Sequence, residues 1–140
     1  MRWRRWRGSI PTNTDLDSLD PRFKPLAMAL LARLVEARIP VVIVNTRRTD
    51  AEQAEALAKH VSWVPRSKHQ DGLAIDIAPY ETYVAHGTNK VLWDGSDPIW
   101  LRIGQVGESL GLRWGGRWTV KDLGHFEYVG FNAPDGGLST

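Results

Sequence analysis

Apolar residues recur at helical spacing early in the chain. Leu26, Leu30 and Leu34, with Leu31 and Val35 beside them, mark one buried face of a helix running to Arg38. Asp20-Pro21 can cap and open that helix, and Pro25 delays its regular part by a turn. After Ile39-Pro40, the run Val41-Val42-Ile43-Val44 is short, β-branched and bounded by breakers, which predicts a buried strand. Thr49 and Glu52 form a capping-box pattern ahead of a helix over residues 51–60. Leu73-Ala74-Ile75-Asp76-Ile77-Ala78 alternates as a strand does, with Asp76 on the opposite side from Ile75 and Ile77. Residues 79–97 carry Tyr80, Tyr83, His86 and Trp93, and a connection of this length predicts a functional flap or a partly structured insertion. Asp97-Pro98 opens a third helix with Ile99, Ile103, Val106 and Leu110 on one face, and Gly111 ends it. Leu112-Arg113-Trp114 and residues 125–129 read as short strands. Strands separated by helices without regular alternation predict an α+β fold, with a small, mostly antiparallel sheet packed against about three helices.

Composition bounds the chemistry. With 140 residues, 42% of them hydrophobic, the chain can build one core, assigned to residues 21–130 between a polar arm (1–20) and a Gly-rich tail (131–140). The absence of cysteine excludes disulfides and thiolate metal sites, so any metal must sit on His, Asp or Glu. No apolar run is long enough to span a bilayer and no signal-peptide pattern opens the chain, which predicts synthesis in the cytoplasm.

The net charge of +2 hides an asymmetry: Arg2, Arg4, Arg5 and Arg7 supply +4, leaving 2 − 4 = −2 for the rest. Alternating with Trp3 and Trp6, these arginines suit contact with an anionic lipid or outer-membrane surface; the plainer reading is an unstructured or engineered leader. No basic face or motif elsewhere supports a nucleic-acid partner.

Two segments carry candidate chemistry. In Ser67-Lys68-His69-Gln70-Asp71-Gly72-Leu73-Ala74-Ile75-Asp76, a loop histidine precedes a strand carboxylate by seven residues across a glycine. In Lys121-Asp122-Leu123-Gly124-His125-Phe126-Glu127, a second imidazole follows an acid by three residues. A lone His or Asp near a turn is more often a hydrogen-bonded surface group. Together, His69, Asp76 and His125 make a two-imidazole, one-carboxylate set that suits a zinc ion and leaves a fourth position for water. Asp122 is the favoured general base. Glu127, on the strand face of His125, is the reserve base or a partner that fixes an imidazole.

These segments resemble the zinc D-alanyl-D-alanine carboxypeptidases and dipeptidases of bacteria and the related phage L-alanyl-D-glutamate endopeptidases. The first family motif, Ser-x-His-x-x-Gly-x-Ala-x-Asp, is matched by Ser67, His69, Gly72, Ala74 and Asp76; the second, an acid, two residues and a His, by Asp122 and His125. A looser element, Arg after the first core strand with Glu-Gln in the next helix, is matched by Arg48 with Glu52-Gln53, although Arg47 is adjacent. The resemblance covers residues 21–129 and implies a Hedgehog/DD-peptidase-like zinc fold.

The same resemblance implies that a zinc ion on His69, Asp76 and His125 serves hydrolysis of a peptidoglycan stem peptide, with Asp122 as base and Arg48 as substrate clamp. Ser67, Tyr80 and Trp114 are expected at the substrate, Tyr80 as an oxyanion donor; the tryptophans are core or cleft wall, with Trp114 and Trp118 the best cleft candidates. The segments around His69 and His125 look most like the endopeptidase branch. That implies an endolysin, expected as a monomer, made in the host cytoplasm and acting on the wall after release, at the L-alanyl-D-glutamate bond. The alternatives are a D,D-carboxypeptidase and a non-catalytic wall- or membrane-binding module.

Overall fold

The computed structural model describes residues 13–60, 66–83, 88–91 and 94–130. The leader residues Arg2, Trp3, Arg4, Arg5, Trp6 and Arg7, together with Trp63, His86 and Trp93, lie outside them. Among the described residues no helix is long and apolar enough to cross a membrane.

Helix α1 (Lys24–Glu36) starts behind Phe23 with Pro25 in its first turn, where a missing N–H leaves no bond unmade. Phe23, Ala27, Leu30 and Leu34 line its buried face. Val35, expected there, is 75% exposed, because one step along a helix turns a side chain by about 100° away from Leu34. The helix stops short of Arg38, whose φ of 60° is a left-handed terminating conformation.

Strand β1 (Val41–Asn45) leads to α2 (Asp50–Ala58), whose capping box is present as predicted: the Thr49 side chain accepts from Glu52 N–H and the Glu52 carboxylate accepts from Thr49 N–H. Strand β2 (Ala74–Tyr83) runs five residues past the predicted end. Its outer part, rich in strand formers, pairs with β3 (Thr88–Val91), so residues 79–83 and 88–91 of the long connection lie in paired strands. Helix α3 (Ile99–Ser109) is followed by β4 (Arg113–Trp114) and β5 (His125–Glu127). Every strand pairing is antiparallel, in the order β1-β2-β5-β4 with β3 beside β2.

The buried face of α3 is Trp100, Ile103, Gly104 and Gly107, while the expected Ile99, Val106 and Leu110 are only half-buried. A Cβ on Gly104 would meet the Trp114 ring at 2.4 Å, and one on Gly107 the Phe126 ring at 2.3 Å. Glycine therefore lets the helix lie directly on β4 and β5.

Ile75 and Phe126, opposite each other in register, join Ile77, Trp100, Ile103 and the α1 face in the core. The other face of the sheet carries a polar row. Asp76 pairs with His125 on one side and, through a bulge after Ile43, with Asn45 on the other. Directly opposed residues share a face, so the sheet itself brings these side chains together.

Candidate metal centre

His69 is delivered by a single 3-10 turn, Lys68–Asp71, and the sequence dictates its shape. Ser67 caps the turn: its hydroxyl accepts from His69 N–H at 3.1 Å, and the Gln70 side chain returns to Ser67 N–H at 2.8 Å. Gly72 closes it at φ 70°, where a side chain would also press to 2.8 Å of the Asp20 amide. Ala74 is fully buried as β2 begins. The outer surface of the turn is fixed by Arg48 N–H, which donates to the His69 carbonyl at 2.9 Å.

The ring of His69 has a determined tautomer. Its Nδ1 lies 2.6 Å from the carbonyl of Thr46, which can only accept, so Nδ1 carries a proton and the neutral ring keeps its lone pair on Nε2. Thr46 is itself held by the arm, through its amide and hydroxyl donating to Asn13 O. Nε2 of His69 is buried, lies 3.1 Å from Asp76 Oδ2, and has no hydrogen-bond partner among the described residues. An orphaned lone pair facing a carboxylate is unfavourable unless a cation joins them.

His125 Nδ1 approaches the other Asp76 oxygen, Oδ1, at 3.0 Å. Ligand atoms of His69, Asp76 and His125 all lie within 4.8 Å of one another, and the two nitrogen–oxygen spacings are close to the edge of about 3.3 Å expected for a tetrahedral zinc site. The residues fit a metal ion.

The electrostatics agree. Without a metal, burial alone would raise Asp76, but positive charge on the nearby His69 ring and the hydrogen bond from His125 hold its carboxyl well below the usual range. Burial opposes charge on His125, yet hydrogen bonds to Asp76 and Glu127 outweigh it and push the ring up to about 10. Glu127 Oε1 accepts from His125 Nε2 at 2.8 Å, which leaves Nδ1 as the nitrogen that faces the cluster. Asp122 Oδ2 stands 3.9 Å from that same Nδ1.

Known proteins bear on this arrangement. The family model described as D-alanyl-D-alanine carboxypeptidase matches residues 60–128, which hold both histidines and both aspartates. The chain is 30% identical over 137 residues to the peptidoglycan L-alanyl-D-glutamate endopeptidase CwlK of Bacillus subtilis, covering 86% of this chain and 77% of that one. The chain belongs to the M15 peptidase family. Solved structures share the fold of this M15 peptidase. The L-Ala D-Glu endopeptidase ChiX of Serratia marcescens superposes with a TM-score of 0.63 at 23% identity, over 85% of this chain and 90% of that one. A mutant of the vancomycin-resistance D,D-pentapeptidase VanY, in complex with Zn(II), gives 0.55 at 19% identity, over 93% and 87%.

Sequence-based expectations divide cleanly at this site. His69, Asp76, His125 and Asp122 come together, and Arg48 lies beside the His69 turn, buried, with Nη1 donating to Gln53 Oε1 at 2.6 Å. Arg47 instead points outward to the Ser18 carbonyl. Ser67 is fully buried as the cap of the turn, which places it behind His69 and not at a substrate surface. Trp114 belongs to the core, its indole N–H donating to Leu123 O at 2.7 Å, so it is no cleft wall. Tyr80 lines a separate groove with Leu31, Ile39, Pro40 and Val41. Trp118 is the indole beside the cluster, its ring 5.1 Å from that of His125. The partner role of the Thr46 carbonyl has no residue-type signal, since any residue supplies that atom.

Proposed function

We propose that this M15 peptidase is a zinc enzyme hydrolysing peptidoglycan stem peptides at the L-alanyl-D-glutamate bond. The observation that carries the reading is the orphaned Nε2 of His69 facing Asp76, in register with His125. His69 Nε2, an Asp76 oxygen and His125 Nδ1 would hold the ion. When bound, zinc supplies a Lewis acid for the scissile carbonyl and lowers the pKa of water to about 7. Asp122, beside His125, takes a proton from the attacking water and returns it to the leaving amine. The buried Arg48 fork, oriented by Gln53, grips a carboxylate or carbonyl of the stem peptide. The choice of bond is supported by the similarity to CwlK, whose name gives that cleavage.

The match to the carboxypeptidase family model favours a second reading, removal of a terminal D-alanine. Residues 21–130 would be the catalytic unit in either case. We further infer a phage-type endolysin, supported by the motif endings around His69 and His125, with the Arg/Trp leader contacting anionic outer-membrane lipid. Digestion of purified sacculi, with mass spectrometry of the freed termini, tests the main reading. New D-glutamate amino termini are expected; free D-alanine alone would favour the second reading, and glycan cleavage alone would overturn both.

A further inference from the structure

We propose that Lys68, Glu127 and Arg113 form a charged tie that fixes the spacing of the two histidine ligands and the ring nitrogen His125 presents. The inference rests on His69, Asp76 and His125 holding a metal ion. Glu127 is wholly buried on β5, two residues beyond His125 on the same strand face. Its carboxylate accepts from His125 Nε2 and meets two cations from different parts of the chain: Lys68 Nζ at 3.4 Å and Arg113 Nη1 at 3.3 Å. Arg113 is its direct partner in the β4–β5 register. Lys68 immediately precedes His69 in the 3-10 turn, and its ammonium also donates to the Tyr128 carbonyl at 2.8 Å. The turn bearing one ligand is thereby fastened at two points, to Glu127 on the strand bearing the other and to Tyr128 just after it.

A carboxylate buried at this depth is strongly unfavourable alone, and the two cations offset that penalty. They hold Glu127 where only one ring orientation of His125 can satisfy it. Rotating the ring would set a C–H against the carboxylate and withdraw Nδ1 from Asp76. Lys68, Glu127 and Arg113 are thus positioning residues acting through the two histidines, the outer layer that metal sites need to keep their ligands aimed.

The test is zinc affinity of the full chain, read by competition with a chelator. Glu127→Gln should weaken binding by about 10- to 100-fold, as loss of such outer partners does. Lys68→Met and Arg113→Met, each leaving Glu127 one cation and its bond to His125, should weaken it by about tenfold, with Lys68→Arg restoring most of the loss. Combining Lys68→Met with Glu127→Gln should lose little more than Glu127→Gln alone, because both break one unit. Nitrogen chemical shifts of the zinc-loaded protein should show the His125 proton on Nε2. Wild-type binding with every variant within twofold, or a His125 proton on Nδ1, would overturn the tie alone. No zinc binding by the wild type would overturn the metal reading and the tie with it.

Discussion

Asp122 Oδ2 lies 3.9 Å from His125 Nδ1, while His125 N–H donates to the Asp122 carbonyl at 3.1 Å. One tight turn therefore sets an acid beside the nitrogen that faces the metal cluster. Gly124 lets this turn lie against β2, since a Cβ there would press on the Ile77 carbonyl.

From that geometry, Asp122→Asn should keep zinc and lose turnover by about 10²- to 10⁴-fold, the range for a general base. Metal analysis alongside wall hydrolysis checks it. A non-catalytic binding module would act unchanged in the variant.

The metal-free protein should carry a characteristic pH dependence. His125 has a usual value of 6.5 and is raised to about 10 on folding, so its contribution to stability is complete below 6.5 and is lost as pH climbs through about 10. Asp76 is shifted the other way, so its contribution is present above its usual 3.8 and is lost as pH falls through its lower folded value. Chelator-treated protein should thus melt at its highest temperature between about pH 4 and 6.5 and at falling temperatures up to about pH 10. A melting temperature flat from pH 6.5 to 10 would contradict the paired state of His125.

Arg48 is buried and held by Gln53, so a substituted cation cannot reproduce its fork. Arg48→Lys should reduce kcat/KM by about 10- to 100-fold, the worth of a hydrogen bond to a charged group, with zinc affinity intact. Equal kinetics in the variant would remove Arg48 from the substrate.

Gly107→Ala should destabilise the chain although alanine favours helices. The added methyl meets the Phe126 ring at 2.3 Å between His125 and Glu127, and overpacking of about 1–3 kcal/mol outweighs a propensity gain of at most about 1 kcal/mol. Urea unfolding measures the sign.

What the sequence made legible was what local chemistry controls. The Thr49–Glu52 box caps α2 in the structure as it does on paper, and the two motif segments led to His69, Asp76, Asp122 and His125 because their spacing is tied to a turn and a strand. Tertiary contacts decided the rest. Gly104 and Gly107 face inward only because Trp114 and Phe126 lie beneath them, and Trp114 is core only because Leu123 offers its carbonyl. Ser67 reads as a polar site residue, yet its hydroxyl is consumed by the amide of His69. The Lys68–Glu127–Arg113 cluster joins residues up to 59 positions apart in sequence (127 − 68), beyond the reach of any spacing rule.

In the proposed reaction His69, Asp76 and His125 hold the zinc ion that serves peptide hydrolysis. The decisive measurement is a titration of zinc into chelator-stripped protein, followed by cleavage of purified sacculi. Activity should rise to a plateau at one equivalent of bound zinc and stay absent in His69→Ala at every ratio. Full cleavage by the stripped protein, or by His69→Ala, would show that hydrolysis does not depend on a zinc ion at these residues.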